Sequence, residues 1–264
     1  MADQHVTLPS FHPNTYGEVM RRVIGQWGVT HYLPIIDPEI LFASARPELP
    51  CIVMSPDAGF CRKAKEKSLY SKHFFGADIS FPEVYPRDRL AGKFPCWAKD
   101  DGGFGGKSSR LILNEADLSE VPDHWFFQEH IAGREYTVDC FPRDDGPPIC
   151  SVRERLTIKA GVCTQARLIR HSDLERIASA LSSTMQRKSP FCFQAMERED
   201  GSCAITDINP RLGAGTALSV ANGLEFFAAH LARMFEQDPL VYLKRRHSTC
   251  YVTRQYAEFL SPAP

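Results

Sequence analysis

A short motif, ITDINPR, places an acid, an amide and an arginine at the end of a predicted strand. Asp207 and Asn209 are two residues apart, so in an extended segment their side chains lie on one face. Gln194, on the preceding strand of a predicted hairpin, can reach the same face. Their oxygens suit Mg²⁺, and Arg211 beyond them suits a phosphate group. The alternative is a polar strand end that caps the turn at Pro210.

A glycine-rich loop, DDGGFGGKSS, follows a predicted strand that ends at Lys99. Glycines allow backbone N–H groups to approach phosphates closely, and Lys99 adds a compact positive charge. Gly105 and Gly106 are the candidate phosphate contacts of the loop. The pattern matches neither GxxxxGK[ST] nor GxGxxG, so the two common nucleotide fingerprints do not apply. A flexible hairpin turn is the alternative interpretation.

Two further segments are weaker candidates for ligand contacts. In FQEHIAGRE, a strand followed by a glycine turn can set backbone groups against a purine ring, with Glu135 near sugar hydroxyls. In SVRERLTIKAGV, Arg153 and Arg155 share a face of a predicted strand, and a guanidinium suits a carboxylate. Arg155 is the favoured residue and Lys159 a weaker one. An exposed strand end and a solvated strand are the respective alternatives.

The composition is that of an ordinary globular protein. Apolar residues make up 43% and charged residues 24%, and the formal net charge is −1, which provides no global field for nucleic acid or an anionic membrane. The nine cysteines contain no CxxC pair, which favours reduced, mostly buried thiols. No apolar segment approaches the roughly 20 residues that cross a bilayer. We therefore expect a cytoplasmic protein without nucleic-acid or membrane partners.

Periodicity predicts a mixture of helices and mostly antiparallel strands. A helix over 16–27, a strand in HYLPIID, a helix over 39–45 and a strand over 51–54 suggest a small parallel α/β unit. A basic helix is predicted over 62–75. The remaining predicted elements are a hairpin of 94–99 and 110–113, strands at 125–131 and 135–141, a helix at 174–185, a hairpin of 191–196 and 203–208, and a helix at 224–235.

Together and in this order, these segments resemble the ATP-grasp superfamily, most closely its carbamoyl-phosphate-synthetase-like branch. The resemblance runs from about residue 37 to residue 235, and its most specific parts are QEHIAGREYTVD and DINPR followed by LGAGTALS. It implies an α+β, ATP-grasp fold whose two subdomains grip ATP, preceded by a short, incomplete parallel α/β subdomain. The expected limits are 1–62 for that first subdomain, 63–127 for the small subdomain with the glycine loop, and 128–264 for the large subdomain.

The resemblance also implies roles for single positions, including a lysine in EKSLYSKHFFGADISFP. The implied roles are Lys67 and Lys99 on ATP phosphates, Gln128, Glu129 and Ile131 around adenine, Glu135 on the ribose, Gln194, Asp207 and Asn209 on magnesium, and Arg211 on the phosphate in transfer.

This sequence departs from the family pattern at three places. Asp207 stands where the family usually has glutamate, which shortens the reach by about 1.5 Å and leaves open one or two metal ions. Asp100 replaces a proline that often follows the strand lysine. The N-terminal region lacks a first strand and loop, so we expect a homodimer or a partner subunit to complete substrate recognition.

The resemblance implies an ATP-dependent carboxylate–amine ligase that forms a C–N bond. Such an enzyme uses ATP and Mg²⁺, for which Mn²⁺ can substitute, to turn a small carboxylate into an acyl phosphate that an amine or similar nucleophile attacks. The alternative is a non-catalytic or regulatory ATP-binding module that works with a partner protein. Fold analogy does not choose the substrate pair.

Overall fold

The computed structural model describes residues 5–8, 11–12, 15–103, 108–159 and 161–255. Within these ranges the chain forms three β-sheets and several helices, none of which is long and apolar enough to cross a membrane. The strands are β1 (His31–Tyr32), β2 (Ile52–Val53), β3 (Val84–Tyr85), β4 (Cys96–Lys99), β5 (Ser109–Ile112), β6 (Phe126–Glu129), β7 (Glu135–Phe141), β8 (Ile149–Lys159), β9 (Val162–Ile169), β10 (Phe191–Glu197), β11 (Cys203–Asn209) and β12 (Cys250–Thr253). The helices are α1 (Tyr16–Trp27), α2 (Asp37–Ser44), α3 (Ala58–Lys65), α4 (Tyr70–His73), α5 (Ser172–Ser183), α6 (Thr216–Val220) and α7 (Phe226–Met234).

The N-terminal part is the predicted parallel α/β unit. Helix α1 buries Tyr16, Met20 and Ile24, which recur at helical spacing, and it ends at Gly28 in the left-handed conformation with φ of 60°. Strands β1 and β2 pair in parallel, with His31 opposite Ile52. Each strand is only two residues long, shorter than the apolar segments in the sequence suggested.

The single basic helix predicted over 62–75 is wrong. Helix α3 starts at an Asp57 cap, whose side chain accepts the Phe60 N–H at 2.9 Å, and it stops before Glu66, whose backbone is not helical. A 3-10 turn (Lys67–Leu69) and the short α4 follow. Tertiary contacts outweigh helix propensity at this position. As a result of the break, Lys67 lies towards the large sheet.

The small sheet has four antiparallel strands in the order β3–β6–β4–β5. The predicted hairpin is confirmed as β4 and β5, with Lys99 opposite Ser109. Along β4, Cys96 and Ala98 are fully buried in the core beneath the sheet. Trp97 and Lys99 alternate with them and therefore lie on the opposite face.

The large sheet has six antiparallel strands in the order β11–β10–β7–β8–β9–β12. Helix α5 covers one face, where Leu174, Ile177 and Leu181 pack against Tyr136 and Val138 of β7. The alternate residues of the same strands point to the other face. The two antiparallel sheets with their helices confirm the α+β class, and the nine cysteines are free thiols, all but Cys51 and Cys250 buried.

Candidate functional site

A cleft of about 530 Å³ lies between the two antiparallel sheets. Strands β4 and β5 of the small sheet form one wall, and β7, β8, β10 and β11 of the large sheet form the other. Nine of the residues predicted from sequence to bind ligands line this one cleft. They are Lys67, Lys99, Glu135, Arg153, Arg155, Gln194, Asp207, Asn209 and Arg211.

The three predicted metal ligands lie together on the β10–β11 hairpin. Gln194 is directly opposite Asp207, and Asn209 Nδ2 donates to Asp207 Oδ2 at 3.0 Å. A β-bulge explains why Ile205, two residues before Asp207, does not share that face, because the register shifts so that Gln194 pairs with Asp207 while the next residue pairs with Ile205. Ile205 therefore enters the core while Asp207 and Asn209 face the cleft, with Thr206 as the extra residue.

Lys67 reaches this cluster from the break after α3. Its Nζ lies 2.9 Å from Asp207 Oδ1, with both side chains about one fifth exposed. The buried Tyr70 hydroxyl holds the break in place, because it donates to Ala64 O at 2.8 Å and accepts the Ile208 N–H at 3.0 Å. Burial opposes ionisation of Asp207, but Lys67 and then Lys99 outweigh it and lower the pKa of the carboxyl group.

Lys99 approaches the same cluster from the small sheet. Its Nζ lies 3.4 Å from the carbonyl oxygen of Thr206, the bulged residue of β11. Burial lowers the pKa of Lys99 to about 8, although Asp207 partly offsets that effect. The amine is therefore held in a poorly solvated position, where an incoming anion would stabilise its charged form.

The start of the glycine loop is held by the break that carries Lys67. Asp101 Oδ1 accepts the backbone N–H of Ser68 at 2.7 Å, and Lys67 Nζ lies 3.5 Å from the Gly103 carbonyl oxygen. Gly103 has no room for a side chain, since a Cβ there would lie 2.0 Å from Ser108 Cβ. Gly105 and Gly106, the predicted phosphate contacts, lie outside the described residues.

Glu135 and Arg155, which were predicted to have separate roles, form an ion pair inside the cleft. Arg155 Nη1 binds Glu135 Oε1, and Arg155 Nη2 donates to Gly161 O at 3.0 Å. The Arg155 side chain is only 6% exposed, and its Nε has no hydrogen-bond partner among the described residues. Lys159, the weaker candidate, is not among the described residues that line the cleft.

Arg153 is held in a buried network rather than left free for a ligand. It pairs with Asp139, with Nη2 to Oδ1 at 3.0 Å, and its Nη1 donates to Ser219 Oγ at 2.7 Å. Both charged side chains are essentially unexposed. The pair ties β7 and β8 to α6 beneath the cleft, close to Gly215, where an added Cβ would lie 3.2 Å from Arg153 Nη2.

The lining residues Asp37 and Trp97 were not predicted from the sequence. Asp37, at the start of α2, accepts from Arg211 Nε at 2.7 Å and so orients that guanidinium. Asp37 and Arg211 lie far apart along the chain, so no local sequence pattern indicates that they pair. Trp97 also lines the cleft, and its signal was available, since it precedes Lys99 by two residues on the same strand.

Of the described residues that line the cleft, none is Gln128, Glu129 or Ile131. Gln128 and Ile131 are buried, and Glu129 pairs with Arg198, which lowers the pKa of that carboxyl group. The three residues lie where β6 of the small sheet leads into β7 of the large one. Their assignment to adenine stays a prediction.

Glycine is required at the connection between the two sheets. A Cβ at Gly133 would lie 1.7 Å from the carbonyl oxygen of Glu197, so the connection packs directly against the end of β10. Arg134 then pairs with Glu197, with Nε to Oε2 at 2.7 Å. This close packing determines how β6, before the connection, is placed relative to β7, after it.

The hairpin residues fit a magnesium ion chemically. Asp207 Oδ1 is buried and, within the described ranges, contacts only the Lys67 ammonium, whose Nζ lies 2.9 Å away. One carboxylate and the amide oxygens of Gln194 and Asn209 form a hard donor set suited to magnesium completed by phosphate oxygens and water. Over the described part of the chain, no group of three or more histidine, cysteine or acidic side chains is placed to hold a metal.

The fold is that of solved ATP-grasp proteins. The chain is similar to a carboxyaminoimidazole ribonucleotide synthase from Aspergillus clavatus complexed with ATP, at 15% identity and a TM-score of 0.69, covering 86% of this chain and 65% of that one. It is also similar to the biotin carboxylase domain of Hydrogenobacter thermophilus 2-oxoglutarate carboxylase with MgADP and bicarbonate, at 13% identity and a TM-score of 0.73, covering 90% and 61%. An L-amino acid ligase from Bacillus licheniformis matches at 13% identity and a TM-score of 0.65, covering 83% and 59%.

A family model places the chain more narrowly. The model described as "ATP-grasp in the biosynthetic pathway with Ter operon" matches residues 122–254, half of the sequence. The chain belongs to this ATP-grasp family, which confirms the resemblance seen in its motifs. No curated protein matches the sequence. The chain spans less than two thirds of the length of each of the three solved structures.

Proposed function

We propose that the chain is an ATP-dependent ligase that binds Mg-ATP in the cleft and activates a carboxylate as an acyl phosphate for attack by an amine or similar nucleophile. One observation carries the proposal. Lys67 from the break after α3 and Lys99 from the small sheet both approach the Asp207 cluster of the large sheet. Cations and oxygen ligands that converge from separate elements are what a triphosphate with its metal requires.

The chain's own cations would supply most of the phosphate recognition. Lys67 and Lys99 are compact charges that can contact phosphate oxygens, and Arg211 presents a guanidinium fixed by Asp37. Because each group is at least partly buried, its interaction with an anion is weakened less by water than at the surface. Positioning and electrostatics of this kind need no nucleophilic side chain.

Gln194, Asp207 and Asn209 would hold the magnesium ion. A bound Mg²⁺ supplies neutralisation of phosphate charge during phosphoryl transfer. Mn²⁺ offers the same oxygen preference and is proposed as a substitute. We propose a second metal ion only if Asp207, which is shorter than the glutamate usual at this position in the family, can contact both ions.

Arg155 would orient the carboxylate substrate. In the structure this guanidinium is paired with Glu135. Sugar hydroxyls of a bound nucleotide would offer Glu135 new hydrogen-bond partners and leave Arg155 free for a second carboxylate. The expected order is therefore nucleotide first and acid second.

A small-molecule amine or similar nucleophile completes the proposed reaction. A second copy or a partner subunit at the N-terminal unit is also part of the proposal, because its sheet has only the strands β1 and β2 among the described residues, so each strand has one edge without a β-strand partner there. Light scattering of wild type and Ile52→Asp would measure this, with a loss of mass in the variant expected.

The experiment is trapping of the acyl phosphate with hydroxylamine. Purified protein is incubated with Mg-ATP, hydroxylamine and a panel of carboxylates, and both hydroxamate and ADP are measured. We expect the two products in equal amounts with wild type. Asn209→Ala should still bind nucleotide but lose turnover, whereas Lys72→Ala, an exposed lysine on α4, should behave as wild type. Mg-ATP binding without ADP release for any acid would instead support the non-catalytic ATP-binding module.

A further inference from the structure

The wall of the cleft beside Arg155 is apolar. Ile158 near the end of β8 and Val162 at the start of β9 both line the cleft. Ile158 is 45% exposed, although the surrounding cleft is rich in charged groups. We call this surface, formed by Ile158 and Val162, the apolar shelf.

An irregular register puts the apolar shelf on the same side as Arg155. In a regular strand, residues three apart point to opposite faces. The pairing of β8 with β9 shifts twice between Arg155 and Ile158, so that both side chains line the cleft. Leu156, on the same strand and 47% exposed, is not among the described lining residues.

The guanidinium and the apolar shelf adjoin each other. Arg155 Nη2 donates to Gly161 O at 3.0 Å, and Gly161 directly precedes Val162. The Arg155 side chain is also only 6% exposed, and its Nε has no hydrogen-bond partner among the described residues. A ligand that satisfies both features carries an anionic group for Arg155 and an apolar body for the shelf.

We propose that the carboxylate substrate is a monocarboxylic acid with an apolar body, whose carboxylate meets Arg155 and whose body packs on the apolar shelf. This inference rests on the proposed function and adds the substrate class to it. A second charge on the acid would lie against Ile158 and Val162, whose side chains offer it no hydrogen bond, so dicarboxylic acids are disfavoured. Ile158 is then the residue that determines specificity.

Calorimetric titration tests the proposal. Acetate, butyrate, hexanoate and succinate are each titrated into protein saturated with the non-hydrolysable Mg-AMP-PCP and into protein without nucleotide. We expect Kd to fall about threefold for each added methylene, as for partial burial of apolar surface, and succinate to bind more weakly than butyrate. In Ile158→Ser the dependence on chain length should flatten to less than twofold per methylene. Leu156→Ser is the matched control, with equal exposure but no place in the cleft, and should keep the wild-type dependence.

The proposal is overturned if Kd does not depend on chain length, if succinate binds more tightly than butyrate, if Ile158→Ser and Leu156→Ser behave alike, or if no acid binds. The hydroxamate measurement separates this result from the proposed function. If apolar acids bind but no hydroxamate forms, the proposed ligase activity is rejected and the proposed binding to the apolar shelf stands. If hydroxamate forms from succinate but not from butyrate, the proposed binding to the apolar shelf is rejected and the proposed ligase activity stands.

Discussion

Lys67 Nζ lies 2.9 Å from Asp207 Oδ1, so the protein's own cation occupies the carboxylate oxygen that a metal would need. The same lysine approaches the Gly103 carbonyl oxygen at 3.5 Å. Lys67 thus lies between the hairpin with the proposed metal ligands and the start of the glycine loop. We expect the Lys67 contact with Asp207 to be replaced when Mg-ATP binds, because phosphate oxygens and a metal ion offer each group a stronger partner.

Replacement of Lys67 should therefore shift metal and nucleotide affinity in opposite directions. In Lys67→Met, Asp207 loses its competing cation, and Mn²⁺ should bind the nucleotide-free protein about tenfold more tightly. Mg-ATP should bind about tenfold more weakly, because a phosphate contact is lost. Paramagnetic relaxation of water protons measures the first effect and calorimetry the second. Lys72→Met is the control, and equal Mn²⁺ affinity in Lys67→Met and wild type would refute the competition.

Nucleotide binding should take up protons above pH 8. Burial lowers the pKa of free Lys99 to about 8, so above that pH most molecules carry a neutral amine that phosphate would have to recharge. The Kd of Mg-ATP should then rise with pH, by at most about tenfold per unit. Calorimetry at pH 8.5 in two buffers of different ionisation enthalpy measures the proton uptake. Lys99→Arg stays charged and should show none; equal uptake in both proteins would assign the proton elsewhere.

Removal of the Glu135 charge should release Arg155. In Glu135→Gln the guanidinium loses its ionic partner, so butyrate should bind the nucleotide-free protein several-fold more tightly than it binds wild type. Mg-ATP should bind more weakly, since the proposed ribose contact is weakened. Titration of each ligand alone gives both numbers. The order of binding inferred above is wrong if butyrate affinity in the absence of nucleotide does not change.

The buried Asp139–Arg153 pair should matter for stability more than any exposed pair. Asp139→Asn leaves Arg153 buried without a counter-charge, which typically lowers the free energy of unfolding by about 3–5 kcal/mol. Urea unfolding with an unchanged slope measures the loss. Glu48→Gln breaks the exposed Arg46–Glu48 pair and should give no measurable change. A similar result for both variants would mean that the buried network is not structural.

The candidate site could be predicted from sequence where side chains of one element act together. Asp207 and Asn209 share a face by strand alternation, and Gln194 follows from the hairpin, so local periodicity was sufficient for these three. The hairpin around Lys99 and the α1 helix were predicted for the same reason.

Features that depend on distant contacts were not predictable. The helix expected over 62–75 breaks because the Tyr70 hydroxyl bonds to the backbone of β11, and that strand lies far along the chain. The bulge at Thr206 and the shifts before Ile158 change which face a residue occupies, and no local signal marks them. The Asp37–Arg211 pair requires the tertiary fold itself.

The most direct measurement is calorimetric titration of Mg-ATP into wild type and Lys99→Ala, with Lys72→Ala as the control. Lys99 is the small-sheet residue that meets the bulged β11 strand across the cleft. We predict saturable binding to wild type and the control, and no detectable binding to Lys99→Ala. Wild-type affinity in Lys99→Ala would contradict the placement of the phosphate site in this cleft.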